Sequence, residues 1–575
     1  MTRGNMITIT RRIGLAAAAL VAVLPTVQAM ASTNTARFAW FDYRGSDPAD
    51  TVPLKPGQYR NPILQGFYSD PSVTRVGRDY YLVTSTFAWF PGIPVFRSRD
   101  LVHWTQIGNA IDRPGQLDFA HLRLSRGVFA PSITYHDGRF WIINTCVDCG
   151  DNFVVTATNP AGPWSDPVWL KGIDGIDTSL FFDDDGSAWI VNNGPPPETP
   201  RYDGHRAIWI QQFDPVARTM VGPRKVLLDG GVDPSANPVW IEGPHIFKRD
   251  GRYYLICAEG GTSVNHSEVV LRADHVTGPY TPYPGNPILT QRDLPADRPL
   301  PITSAGHASF VETPKGDWWA TFLATRPYAD DLYNTGRETF LLPVAWKDGW
   351  PMILPRGLPI PQTHARPDLP PEPAPATPTS GPFHIRVAFT GPALPPDWMM
   401  MRQPATRWWH LGHGLSLDAR TESLGDEANP SFVARRQQHG DFRAETAMTF
   451  SPHEGDIAGI VALQNDDYFY TLGLTNMGGL TFVQLYERAG KQDPAAGRVI
   501  ASAPVSLAAG APLYLAISAK GGAYSFDYAV KPGAWRRLKA DADGTILSTH
   551  VAGGFVGAMI GLYAHSAPTQ APPAG

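Results

Sequence analysis

The stretch Asp70-Pro71-Ser72-Val73, followed by Val76-Gly77-Arg78-Asp79-Tyr80-Tyr81-Leu82, decides the architecture of this chain because its pattern returns four more times. The second copy is Ala130-Pro131-Ser132-Ile133 with Asp137-Gly138-Arg139-Phe140-Trp141-Ile142. The third is Asp177-Thr178-Ser179-Leu180 with Asp185-Gly186-Ser187-Ala188-Trp189-Ile190. The fourth is Gly243-Pro244-His245-Ile246 with Asp250-Gly251-Arg252-Tyr253-Tyr254-Leu255, and the fifth is His307-Ala308-Ser309-Phe310 with Lys315-Gly316-Asp317-Trp318-Trp319. Each copy reads as a β-hairpin: an apolar strand, a glycine turn and an aromatic strand. The starts lie 60, 47, 66 and 64 residues apart, room for a four-stranded sheet and a loop. All-β periods of this size specify a propeller more readily than a sandwich. The predicted fold is all-β, with a five-bladed β-propeller over residues 57–362.

Outward from the repeats, the chain changes character twice. Residues 363–382 are dense in Pro, Ala and Thr and read as a semi-rigid linker. Beyond them come alternating segments such as Phe442–Phe450, Ile457–Leu463, Tyr468–Leu474 and Phe555–Tyr563. They predict an antiparallel, jelly-roll-like β-sandwich over 383–570. At the other end, Arg11-Arg12 precedes an apolar run, Ile13 to Leu24, too short to span a bilayer. With Val27-Gln28-Ala29 or Ala29-Met30-Ala31 as cleavage site, residues 1–31 read as a bacterial export signal, by the general or the twin-arginine route. The expected location is therefore periplasmic or secreted.

Composition agrees with that reading and excludes others. A net charge of −5 with no long basic run argues against nucleic acid, which requires a concentrated Lys/Arg face. No later stretch is long and apolar enough to cross a membrane. A neutral oligosaccharide, by contrast, needs no charged footprint. The 55 Gly, 56 Pro and 63 aromatic residues describe short strands separated by tight turns. Of three cysteines, Cys146 and Cys149 have no second pair or His cluster to complete a zinc site. They read as a loop disulfide or as inert thiols.

Equivalent positions in a propeller face the axis at one height. Blades one and three begin on Asp70 and Asp177, blade five begins on His307, and Glu242 stands one residue before the start of blade four. Three carboxylates should therefore converge on one mouth of the channel. Glycosidic bond cleavage needs such a set, one group protonated to release the leaving oxygen and another ionised. Glu242, within Trp240-Ile241-Glu242-Gly243-Pro244-His245, has apolar neighbours that favour its protonated form and suits the acid. Asp70, the shorter carboxylate across the channel, suits the base acting through a water.

Several of these segments, in this order, resemble glycoside hydrolase family 43. They are Asn61-Pro62-Ile63 through Tyr68-Ser69-Asp70-Pro71-Ser72, Thr84 to Gly92, Gly175 to Phe182, Ile241 to His245, and Thr335-Gly336-Arg337-Glu338-Thr339-Phe340. The similarity is to the family's two-domain β-xylosidase and α-L-arabinofuranosidase branch. It implies an inverting exo-hydrolase releasing terminal xylose or arabinofuranose from hemicellulose fragments, with β-xylosidase favoured. Asp70 matches the general base, Asp177 the carboxylate that tunes and orients the acid, and Glu242 the acid. The resemblance also makes Arg337 a channel residue beside the substrate and Phe87 an aromatic wall of the sugar subsite. His307 matches a channel histidine that in some members borders Ca2+ or another divalent ion; no cofactor is otherwise required. Two positions depart from the pattern: Phe129 stands where relatives usually carry Trp, giving a smaller subsite wall, and Thr178 where Pro is usual. In the sandwich, Phe555 reads as a core-packing residue or as one that reaches the sugar. The alternative from another class is a non-catalytic, lectin-like propeller, which would be signalled by loss of one carboxylate.

Overall fold

A computed structural model describes residues 34–568; the leader read at 1–31 lies outside them. Five antiparallel sheets follow one another along the chain, each built from consecutive strands. Blade one consists of Ser72–Val76, Asp79–Val83, Gly92–Ser98 and Thr105–Ile111. Blade two is built around Ser132–His136, Arg139–Val147 and Asp151–Ala157, and blade three around Ile176–Phe182, Ala188–Gly194, Ala207–Asp214 and Thr219–Asp229. Glu242–Arg249, Arg252–Glu259 and Ser267–Ala273 make most of blade four, and Thr303–Glu312, Trp318–Thr325 and Glu338–Lys347 most of blade five. The five first strands neighbour one another in a closed ring, blade five against blade one.

The second strands are buried on both faces, as Phe140 to Cys146 and Trp318 to Thr325 show. Each blade is covered by another blade on either side, so neither face meets water. The turns differ from blade to blade. Blades two and four close on two residues, Asp137-Gly138 and Asp250-Gly251, all with positive φ, as the right-handed strand twist favours. Blades three and five use five-residue loops with one left-handed glycine, Gly186 or Gly316. The serine two residues after the repeat start joins neighbouring blades. Ser72 Oγ accepts from Ile133 N, Ser309 Oγ accepts from Val73 N (both 3.1 Å), and Ser179 Oγ donates to Pro244 O at 2.6 Å.

The sandwich departs from the sequence reading in its boundaries. One of its central strands comes from upstream of the propeller: Thr35–Ser46 pairs with Asp441–Thr449 on one side and with Gly414–Asp418 and Phe383–Val387 on the other. Ala36, Phe38, Phe41 and Tyr43 are its buried apolar residues, and a register shift between Phe38 and Trp40 accommodates the break in alternation. The second sheet ends on a strand from blade one, Trp89–Phe90, paired with Met399–Met401. The segment 363–382, read as a semi-rigid linker, is tied to the propeller at several points. Thr363–Ala365 pairs with Gln58–Arg60, and the Glu372 backbone N–H donates to Asp100 at 3.0 Å. Ser380 Oγ donates to Pro62 O at 2.6 Å, so the segment is strapped along the propeller.

Buried charges hold propeller and sandwich together. Arg326 pairs with Asp47 at 2.6 Å and with Glu338 at 2.5 Å, while Arg402 pairs with Asp466 at 2.6 Å and donates to Leu122 O. Arg436 donates to Phe67 O at 2.7 Å and stacks over Tyr68, fixing the segment that leads to Asp70.

Candidate active site

Four of the five repeat starts share one backbone conformation. Asp70, Asp177, Gly243 and His307 have φ of 55°, 57°, 57° and 55°. Left-handed backbone at non-glycine residues costs about 1–2 kcal/mol each and persists only where the surroundings impose it. In blades three, four and five the strand register shifts at this point, so each inner strand bulges where its functional residue sits. Bulges re-aim side chains, and here they turn Asp177, Glu242 and His307 inward.

All eight residues singled out from sequence line one cavity of about 450 Å³: Asp70, Phe87, Phe129, Asp177, Glu242, His307, Arg337 and Phe555. Asp70 is the most heavily partnered. Arg337 Nη1 donates to its Oδ1 at 3.0 Å, Ser85 Oγ donates to its Oδ2, and His307 Nδ1 lies 3.7 Å away. Burial would raise its pKa, but Arg337 and His307 more than offset this and hold the carboxyl below the usual aspartate range. Asp177 accepts a hydrogen bond from Gly243 N at 3.1 Å, and its pKa is raised, first by burial and then by the charge of Asp70. Glu242 is raised well above the ordinary glutamate range by burial and by Asp177. Its buried Oε1 has no hydrogen-bond partner. One carboxylate is thus kept ionised and one kept protonated within one cavity.

Three phenylalanines form an apolar wall. Phe87 and Phe129 pack edge to face at 5.4 Å, and Phe555 stacks on Phe87 at 5.8 Å. Phe87 is held by reciprocal backbone hydrogen bonds with Val128, and its loop continues into the sandwich strand Trp89–Phe90. Phe555 comes from the sandwich; its backbone N–H donates to Ser125 Oγ at 2.9 Å, and its ring lies 5.5 Å from the Arg337 guanidinium. It both lines the cavity and packs against the hydrophobic core.

Gly243 is small for two reasons. Its φ is left-handed, and a Cβ there would lie 2.9 Å from the His307 ring. Gly243→Ala is expected to destabilise the protein by about 1–3 kcal/mol and to displace the ring beside Asp70. A thermal melt and kcat/KM on the same preparation check this; unchanged values for both would contradict it.

Among the described residues, no group of three or more His, Cys, Asp or Glu is arranged to hold a metal ion. The His307 ring faces Asp70 and is closed in by Gly243, so the side chains present do not form a cage for a divalent ion. Cys146 and Cys149 are joined in a disulfide at the turn that follows Val147, a cavity residue. Sequence reasoning missed Arg126, Arg206, Trp240 and Thr262, which also line the cavity. Trp240 was legible, lying two residues before Glu242. Arg206 was not, because it precedes a blade's third strand, outside the repeated hairpin.

A propeller whose inner strands bring carboxylates of opposite protonation state to a sugar-sized, aromatic-walled cavity defines a glycoside hydrolase. Residues 59–351 match Glycosyl hydrolases family 43, and residues 386–574 match the Beta xylosidase C-terminal Concanavalin A-like domain. The chain belongs to glycosyl hydrolase family 43. A xylosidase/arabinosidase of Butyrivibrio fibrisolvens is 37% identical over 517 residues, covering 88% of this chain and 95% of that protein. A non-reducing end α-L-arabinofuranosidase of Bacteroides ovatus is 36% identical, with 89% and 92% covered. The crystal structure of a GH43_12 protein retrieved from a capybara gut metagenome is 37% identical with a TM-score of 0.85, covering 93% of this chain and all of that one.

Proposed function

We propose that this protein is an exported, inverting exo-hydrolase that removes terminal xylose from hemicellulose oligosaccharides. The observation that carries the reading is the pairing of an ionised Asp70 with a protonated Glu242 in a cavity walled on one side by Phe555 of the sandwich. Asp70 takes a proton from a water whose oxygen attacks the anomeric carbon. The glycosidic C–O bond breaks as Glu242 gives its proton to the leaving oxygen. Asp177, accepting from Gly243 N, keeps a negative charge beside Glu242 and so helps it retain that proton. Arg337 holds Asp70 in place and faces the sugar. The export reading is supported by the leader sequence and by the Cys146–Cys149 disulfide, a bond that persists in oxidising compartments.

α-L-Arabinofuranosidase activity is the second reading, favoured by the names of the relatives from Butyrivibrio fibrisolvens and Bacteroides ovatus. Turnover of 4-nitrophenyl β-xyloside against 4-nitrophenyl α-arabinofuranoside decides between them, with the xyloside expected to be the better substrate. Activity on neither overturns the proposal. Proton NMR of the first-formed xylose is expected to show the α-anomer; β-xylose would contradict inversion.

A further inference from the structure

Glu242 must reach the oxygen that joins the terminal sugar to the rest of the chain, so the next sugar lies beside the segment that carries Glu242. Two residues before it, Trp240 lines the same cavity and is 39% exposed. Its backbone is set at φ 52°, and its N–H donates to Gly204 O at 2.9 Å. Arg206 covers part of the ring, with its guanidinium carbon 5.1 Å from the ring centre. Arg206 Nε donates to Asn193 Oδ1 at 2.8 Å, and Asn193 Nδ2 donates to Ile241 O at 2.9 Å. The arginine is thereby tied through one asparagine to the residue preceding the acid.

This pair contrasts with the opposite wall. Phe87, Phe129 and Phe555 pack on one another and come from blades one and two and the sandwich. Trp240 and Arg206 come from blades three and four, and Trp240 continues into an exposed apolar rim with Val239, 40% exposed. An aromatic face presented to solvent at the mouth of a cavity marks a ligand surface. A pyranose suits it, since its C–H face is apolar and its rim carries hydroxyls. The charge of Arg206 already faces Asp177, so no acidic substituent is needed to balance it.

We propose that Trp240 and Arg206 form the subsite for the leaving-group sugar, a neutral pyranose lying on the indole while the guanidinium donates to its hydroxyls. This rests on the exo-xylosidase reading and assigns its second subsite. The test compares kcat/KM for xylobiose with that for β-xylosyl fluoride, whose leaving group fills no sugar subsite. Trp240→Ala is expected to lower the xylobiose-to-fluoride ratio about tenfold, and Trp240→Phe to restore most of it. Arg206→Lys, which keeps the charge felt by Glu242, is expected to lower the same ratio mainly through KM for xylobiose. Equal losses on the two substrates, or no loss on either, overturn the subsite. A wild-type enzyme that turns over neither substrate overturns the xylosidase reading instead. The same variants are then compared on an α-arabinofuranosyl xyloside and α-arabinofuranosyl fluoride, with the same split expected.

Discussion

Glu242→Gln is expected to lower turnover of xylo-oligosaccharides at least ~100-fold, because the amide has no proton to give to a leaving sugar alkoxide. The loss should shrink with leaving-group pKa and nearly vanish for β-xylosyl fluoride, which leaves unassisted. The pH profile carries a second signature. As the proposed acid, Glu242 acts only when protonated, and its pKa is raised by burial and by Asp177, so wild-type activity is expected to fall as pH rises through that elevated value. As the proposed base, Asp70 acts only when ionised, and its depressed pKa is expected to place the acidic limb below the ordinary aspartate range. The variant should keep the acidic limb and lose the alkaline one. These limbs report the coupled carboxylates as a set. A variant with unchanged kcat on xylobiose would remove Glu242 from the role of acid.

Asp70→Asn is expected to cost ~10²–10⁴ in kcat/KM, and in contrast to the first variant the loss should be the same for poor and good leaving groups. The asparagine cannot take the proton of the attacking water, whatever leaves. Electrostatics adds a shift of predictable sign. The Asp70 charge raises the pKa of both Asp177 and Glu242, and Arg337, which it neutralises at 3.0 Å, lowers that of Glu242. Removing the charge takes away the first effect and leaves Arg337 unopposed. Both changes favour ionised Glu242, so the alkaline limb of the residual activity should move to lower pH. A limb that stays or rises would show that Asp70 and Glu242 do not share one field. Fluoride turnover at the wild-type rate would show that Asp70 is not the base.

The fold was legible because repetition multiplies weak signals. One Asp-Gly between apolar runs is a common turn, but five hairpins at blade-like spacing have few other solutions. The site followed from the same frame, since equivalent positions converge on the axis, and this placed Asp70, Asp177 and His307 before any geometry was known. Glu242 shows the limit of that alignment. It stands one residue off the repeat, and what brings it inward is the bulge at Gly243 and Pro244, where two residues oppose the single Cys257 and turn the strand. Arg337 came from resemblance alone, because it lies in the loop before a third strand and no period points to it.

The sequence by itself determined the class of fold, the number of blades and the three acids, because local patterns of strand, turn and charge encode them. Only the tertiary structure decided the rest. It took residues 35–46 into the sandwich and bound 363–382 along the propeller, since a strand's partners depend on what lies beside it and not on its own alternation. It also set the acids apart chemically. Asp70 and Asp177 occupy the same repeat position with the same backbone angle, yet one pKa falls and the other rises. Arg337, 267 residues away in the chain and in hydrogen-bond contact with Asp70, lowers the first together with His307, while burial and the charge of Asp70 raise the second.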